Sequence, residues 1–127
     1  MSTAPPPPPN LGGEYLRSRV MVVTTNDIPG YRVERIHGEI FGITVRARNL
    51  FSNIGASFRT VFGGEAKGYT RLLSQSRDEA VDRLREAALA AGCNAVLAMR
   101  FDTGDIGNVM NEVAAYGTGV VVVPEHS

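Results

Sequence analysis

The stretch from Thr44 to Tyr69 constrains the fold of this chain more than any other part of the sequence. It opens with TVRARN, continues through an amphipathic segment rich in phenylalanine, and closes with GGEAKGY. The opening letters are typical of a strand end, and the two glycines allow a sharp turn into a helix. The chain therefore turns a corner here, and this corner is where we expect a ligand. The candidate ligand-binding residues are Arg46, Arg48, Asn49, Glu65 and Tyr69.

A long amphipathic helix is predicted after the glycine pair. Small and apolar residues recur there at intervals of three and four, the period of an α-helix, at Tyr69, Leu73, Ser76, Ala80, Leu84, Ala87 and Ala91. Gly92 suits the left-handed position that ends a helix. Ser76 and Glu79 also match a capping box, so a helix that starts at Ser76 is the alternative. A shorter helix is predicted over residues 50–62, with Asn49 as its N-cap.

Four segments have the character of β-strands. The run RVMVVTT over residues 19–25 is followed by a turn, and residues 31–49 form one long strand whose change of phase predicts a bend at Gly38 and Gly42. After the long helix, NAVLAMRFD places Ala95, Leu97, Met99 and Phe101 on one apolar face. The segment TGDIGN then turns the chain into a last strand that is apolar on both faces near its end.

The predicted fold class is α+β, a ββ-α-ββ subunit with one long helix packed on a mostly antiparallel sheet. A single helix covers only one face of such a sheet. We therefore expect the other face, or the phenylalanine-rich segment, to contact another copy of the chain in a homo-oligomeric ring.

Length and composition indicate one domain. The chain has 127 residues, of which 43% are hydrophobic, enough for one core. We assign residues 19–124 to the domain, residues 1–18 to a disordered proline-rich tail, and residues 125–127 to a second tail. Pro5 to Pro9 favour an extended polyproline II segment, which either solubilises the chain or docks on a protein partner.

Charge and targeting signals limit the partners. The 13 basic and 13 acidic residues balance, so no overall field steers the protein to nucleic acid or to an anionic membrane. The first residues lack the pattern of a secretory signal, and no apolar run approaches the length of a membrane span. We expect a cytoplasmic protein that binds neither nucleic acid nor membrane.

Few residues suggest chemistry. His37 and Glu39 lie two apart on a predicted strand and could offer two metal ligands, although the signal is weak and a solvated polar pair beside the bend is the preferred interpretation. Cys93 is the only cysteine and follows a helix end, where a thiol packs as an inert apolar group. No nucleophile with a base and no supported pair of carboxylates is found, so we do not expect an enzyme.

Several motifs in order resemble the YbjQ family of small bacterial and archaeal proteins. They are VTT, HGEIFGITVRARN, GGEAKGYT, AAGCNAVLAMRFD and GTGVVV, and the resemblance covers about residues 20 to 123. It implies a dodecin-like subunit assembled into homopentamers, or into decamers of two pentamers, in a family labelled heavy-metal-binding whose biochemical function is unsettled. A divalent metal is the cofactor that this label implies, with His37 as the weak candidate ligand.

These observations lead to one preferred function and two alternatives. The preferred function is that of a non-catalytic homo-oligomer, a pentamer, that binds a small ligand or metal where subunits meet. The first alternative is a dedicated heavy-metal-binding protein. The second is a multivalent adaptor that acts through the Pro5 to Pro9 tails of a ring.

Overall fold

The computed structural model describes residues 13–47, 65–106 and 110–125. The elements are helix α1 (Gly13–Arg19), strand β1 (Met21–Val22), strand β2 (Tyr31–Ala47), helix α2 (Glu65–Ala90), strand β3 (Ala95–Ile106) and strand β4 (Met110–Pro124). The four strands form one sheet in the order β1-β3-β4-β2. Strand β1 is parallel to β3, and the other two pairings are antiparallel. The α+β class and the ββ-α-ββ order are confirmed, while the predicted helix over residues 50–62 lies outside the described residues.

Strand β2 is the long bent strand that the sequence predicts. Its register against β4 shifts between Val33 and Arg35 and again between Ile36 and Gly38. Gly38 has a φ of 125°, which a residue with a side chain rarely adopts. Gly42 has a different role from the predicted bend, because the register continues through it without a shift.

Helix α2 packs directly on β2 along a stripe of small residues. A Cβ atom on Gly42 would collide with the carbonyl oxygen of Ala80 and the amide nitrogen of Leu84, so glycine allows the two backbones to approach. The buried stripe of the helix consists of Ser76, Ala80, Leu84 and Ala88. Leu73, which the sequence placed on this stripe, is instead 37% exposed.

The end of α2 follows the prediction. The amide of Gly92 donates to the carbonyl of Leu89, and the amide of Cys93 donates to the carbonyl of Ala88. With a φ of 80° at Gly92, these bonds form a Schellman motif. At the other end the helix begins at Glu65 and continues through Ser76, so the alternative start at Ser76 is wrong.

Strand β3 contains an irregularity that the sequence did not indicate. Its register against β4 shifts between Leu97 and Arg100, where Ala98 has a φ of 54°. Ala95 and Leu97 therefore belong to one face, while Phe101 packs with the core on the face toward α2. The prediction of a single apolar face is wrong for this reason. The strand also continues through Ile106, so the first part of TGDIGN is strand rather than turn.

The N-terminal region includes a helix that the sequence analysis missed. Helix α1 occupies residues 13–19, mostly within the predicted tail, and buries Leu16. One ion pair joins it to α2, because Arg17 Nη1 lies 3.9 Å from Asp82 Oδ1. The following strand is shorter than predicted, with Val20 buried just before it. Within the described ranges, no helix combines the length and apolarity needed to cross a bilayer.

Candidate functional site

The second half of β2 presents different residues to the two faces of the sheet. Strand alternation directs Gly42, Thr44 and Arg46 toward α2, and Phe41, Ile43 and Val45 toward the opposite face. The first set ends at the predicted corner, where Arg46 is ion-paired, and the second set forms an exposed surface. The first surface is therefore charged and the second is apolar.

A charged cluster joins β2 to α2 at the predicted corner. The Nη2 atom of Arg46 donates to the Oε2 atom of Glu79 at 2.7 Å, and its Nε atom lies 3.4 Å from the Ser76 hydroxyl. Arg83 donates to the other carboxylate oxygen of Glu79 at 3.1 Å. We call these four residues, Arg46, Ser76, Glu79 and Arg83, the corner cluster. Two guanidinium groups thus share one carboxylate, and the cluster carries one positive charge.

A buried hydroxyl lies beside the corner cluster. Thr44 is 1% exposed, and its Oγ1 atom has no hydrogen-bond partner in the described part of the chain. A buried polar atom without a partner is costly. Thr44 is therefore the one described side chain at the corner that leaves a hydrogen bond unmade.

The predicted ligand-binding set is only partly described. Arg46 faces inward and is held by Glu79 rather than free for a ligand. Arg48 and Asn49 lie outside the described residues. Glu65 and Tyr69 belong to α2, but only their backbone is described. Sequence reasoning missed Glu79 and Arg83 as members of the cluster. Their spacing from Ser76, three and then four residues, places them on one helix face and could have indicated it.

The candidate metal ligands do not come together within the described part of the subunit. His37 is exposed on β2 at the register shift between Ile36 and Gly38. Across the described ranges, no group of three or more histidine, cysteine, aspartate or glutamate side chains could hold a metal ion. A soft metal prefers several thiolate or imidazole ligands, so the described residues of one subunit do not fit a heavy-metal site.

The single thiol is poorly suited to metal binding or catalysis. Cys93 is buried among the core residues that pack beneath α2. Burial raises the pKa of the Cys93 thiol and outweighs the charge of Arg35, which acts in the opposite direction. The thiol is therefore protonated at neutral pH, whereas the thiolate is the form that binds metals and attacks substrates.

The face of the sheet opposite α2 is open at one end. Phe41, Ile43 and Val45 are exposed by 49%, 40% and 42%, and the Phe41 ring lies 6.2 Å from that of Tyr116 on β4. At the other end of this face, Val23 and Ile28 of the β1–β2 loop pack over a small core. We call the exposed residues Phe41, Ile43 and Val45 the open face.

The family model described as "Putative heavy-metal-binding" matches residues 20–123. The chain belongs to the YbjQ family. Curated relatives support this membership. A UPF0145 protein of Streptomyces griseus is 51% identical over 111 residues, covering 87% of this chain and 92% of the relative. One from Thermoplasma volcanium is 54% identical over 103 residues, covering 81% and 84%.

One solved structure has the same fold although its sequence is only distantly similar. It is the crystal structure of a protein of unknown function from the DUF74 family of Pediococcus pentosaceus, at a TM-score of 0.52 and 14% identity. The match covers 82% of this chain and 98% of that one. The fold is thus shared, and the YbjQ relatives carry names that assign no reaction.

Proposed function

We propose that this YbjQ-family chain is a non-catalytic subunit of a homo-oligomer, a pentameric ring, that holds a small ligand or metal ion where subunits meet. The observation that supports it is the open face. Three large apolar side chains, Phe41, Ile43 and Val45, lie side by side on one strand and remain exposed in the single chain. Contiguous apolar surface of this kind marks an association site in soluble proteins.

The arrangement of the open face favours a broad, flat partner. Its three residues alternate along a regular part of β2, and the half-buried Tyr116 stands opposite Phe41 on β4. The surface therefore reaches the neighbouring strand at Tyr116. Burying a large apolar side chain completely contributes about 1.5 to 3 kcal/mol, so three residues repeated on each subunit are a substantial driving force for assembly.

A ligand site between subunits could gather the several ligands that the described residues of one subunit do not bring together. Symmetry repeats each side chain around an axis, so one residue per subunit supplies a set of ligands without a sequence motif. His37, exposed on β2, is the imidazole available for such a site in the described residues of the domain. The family description supports a metal as the ligand class, while the buried Cys93 does not contribute.

Assembly is tested with a matched pair of variants. Val45→Lys places a charge on the open face, and Glu112, directly opposite on β4, can pair with it so that the subunit stays folded. Leu73→Lys is the control, because Leu73 is similarly exposed, at 37%, on α2. Native mass spectrometry of untagged protein should show a pentamer for the parent chain and for Leu73→Lys, and monomers for Val45→Lys. A parent chain that sediments as a 13.6 kDa monomer at micromolar concentration would refute the proposal.

The ligand part is tested separately. The same native spectra report any bound mass on the intact ring, and metal analysis identifies a stoichiometric ion. Zinc, copper and nickel are then added to the metal-free protein, and the melting temperature is followed for the parent chain and for His37→Ala. A shift that His37→Ala abolishes supports the metal, and an absence of both shift and stoichiometric ion removes it while leaving the assembly standing.

A further inference from the structure

Strand β2 lies at the end of the sheet, with β4 on one side only. Its 17 residues make a long edge, and an edge strand offers backbone groups to which another strand can add. The first half is poorly shaped for such pairing because of its two register shifts. The second half, from Phe41 to Ala47, runs without a shift and is the part that could accept a strand.

Arg83 reaches this part of the edge from α2. Its Nη1 atom donates to the backbone carbonyl oxygen of Ile43 at 2.9 Å, while Nη2 is held by Glu79 at 3.1 Å. The β4 side of β2 is filled by the ladder, so the guanidinium meets this carbonyl from the open side. It occupies an acceptor that the amide of an added strand would need.

We infer that Arg83 guards the open edge of β2 against strand addition by a second copy of this chain. The guanidinium closes the edge in two ways: it uses the Ile43 acceptor, and it places a charged side chain beside the regular segment, as natural edge strands do to prevent pairing. Glu79 positions Arg83, and Arg46 in turn holds Glu79. This inference goes beyond the proposed assembly, which uses the open face, and it holds whether or not that assembly exists.

The occupant that the edge would accept is the matching segment of another copy. Phe41–Ala47 has β-branched or aromatic residues at Phe41, Ile43, Thr44 and Val45, the composition that favours strands. Two such segments pair readily because each presents an apolar row and an unpaired edge. Without the guard, edge pairing would therefore join two copies in an isologous pair, because it uses the free β2 edge of both.

The experiment compares Arg83→Ala with Arg77→Ala. Arg77 lies on the same helix and is also exposed, but its guanidinium stacks on Phe101, 5.0 Å from the ring centroid, away from the edge. Growth in assembly mass is followed by light scattering over a concentration series. We expect Arg83→Ala to form assemblies of at least twice the mass of the parent assembly, at a concentration at least tenfold lower than the parent chain needs. Arg77→Ala should behave as the parent chain does.

A second measurement covers the case in which Arg83→Ala folds poorly. Arg83→Gln keeps the side-chain stem and a good helix former, and its melting temperature shows whether it is folded. A fluorescent peptide of residues 41–47, FGITVRA, is titrated onto folded Arg83→Gln and onto the parent chain. We expect the peptide to bind the variant at least tenfold more tightly. Equal peptide binding, or equal growth of folded Arg83→Ala and the parent, would overturn the inference.

The two proposals fail in distinguishable ways. Val45→Lys reports on the closed assembly through the open face, whereas Arg83 variants report on growth in excess of the parent assembly. A monomeric parent chain would end the first proposal, and the Arg83 comparison would still be decided by growth and peptide binding.

Discussion

The side chain of Asn94 pairs with both backbone groups of Val122. Its Nδ2 atom donates to the Val122 carbonyl at 2.9 Å, and the Val122 amide donates to its Oδ1 atom at 2.8 Å. The carboxamide thus replaces one residue of a strand in the ladder. Its own backbone continues the sheet, since the Asn94 amide bonds to Val120 and its carbonyl accepts from Met21. Asn94, which directly follows the turn that ends α2, therefore connects β1 with β4.

Replacing Asn94 should weaken the sheet in proportion to the bonds lost. Asn94→Ala removes both side-chain bonds to Val122, whose side chain is buried, and should cost about 1 to 3 kcal/mol of unfolding free energy. Asn94→Asp keeps an acceptor for the Val122 amide but places a carboxylate against its carbonyl, so it should be no more stable than Asn94→Ala at neutral pH. Urea denaturation measures both. Asn26→Ala, in the exposed β1–β2 loop, is the control and should change stability by less than about 0.5 kcal/mol.

Gly42→Ala should be far more damaging than its small change suggests. The added methyl group would collide with backbone atoms of Ala80 and Leu84, and backbone in a helix cannot move aside as a side chain can. We expect a loss of about 3 kcal/mol or more. Gly104→Ala is the matched control on β3, because its Cβ position has no neighbour within 4 Å. Equal denaturation midpoints for the two variants would contradict the close approach of α2 and β2.

Thr44→Val tests whether the buried hydroxyl has a partner. The substitution preserves shape and removes a buried polar atom that makes no hydrogen bond, so stability should stay the same or rise by about 1 kcal/mol. Thermal and urea unfolding report the change. A loss of more than about 1 kcal/mol would instead show that Thr44 bonds a group such as an internal water. Ser76→Ala is the comparison, because the Ser76 hydroxyl does accept a hydrogen bond, from Arg46 Nε. Ser76→Ala should therefore lower stability where Thr44→Val does not.

The thiol predicts a pH dependence of stability at high pH. The ordinary pKa of a cysteine thiol is 9.0, and burial raises the pKa of Cys93 in the folded protein. Above pH 9 the unfolded chain releases this proton while the folded chain retains it, so the unfolded state becomes more stable relative to the folded one. The stability that the protonated thiol contributes is therefore present below the unfolded pKa and is lost as the pH rises through the folded pKa.

Cys93→Ala isolates that effect from other groups that titrate in the same range. The difference in unfolding free energy between the parent chain and Cys93→Ala should be constant below pH 8 and should move against the parent above pH 9. A thiol reagent should also label the native parent chain slowly and the urea-unfolded chain quickly. Rapid native labelling would show that the thiol is accessible.

Local sequence patterns predicted those parts of the fold that depend on nearby residues. Gly92 ends α2 as expected because a Schellman motif needs only a few consecutive residues. Gly38 permits the expected irregularity in β2 for a similar reason. The bulge at Ala98 was missed, since alanine carries no signal for a positive φ and the bulge is set by pairing with β4.

The corner shows the limit of the same method. Ser76 and Glu79 match a capping box, and the pattern alone cannot exclude that role. In the folded chain both side chains instead contact Arg46, which lies 30 and 33 positions earlier in the sequence. An uncovered face of the sheet was expected because a single helix covers only one face, but the sequence analysis did not name Phe41, Ile43 and Val45 as its residues. Its exposure could be known only once α2 was placed on the other side.

The contact at Gly42 fixes more than the distance between α2 and β2. The glycine lies beneath the helix between Ala80 and Leu84, so α2 cannot slide along the strand without a collision between the helix and a neighbouring side chain of β2. Because Ser76 and Glu79 lie just before Ala80 on the same helix, this fixed position also keeps them level with Arg46. Gly42 thus sets the alignment of the corner cluster without contributing a charge to it.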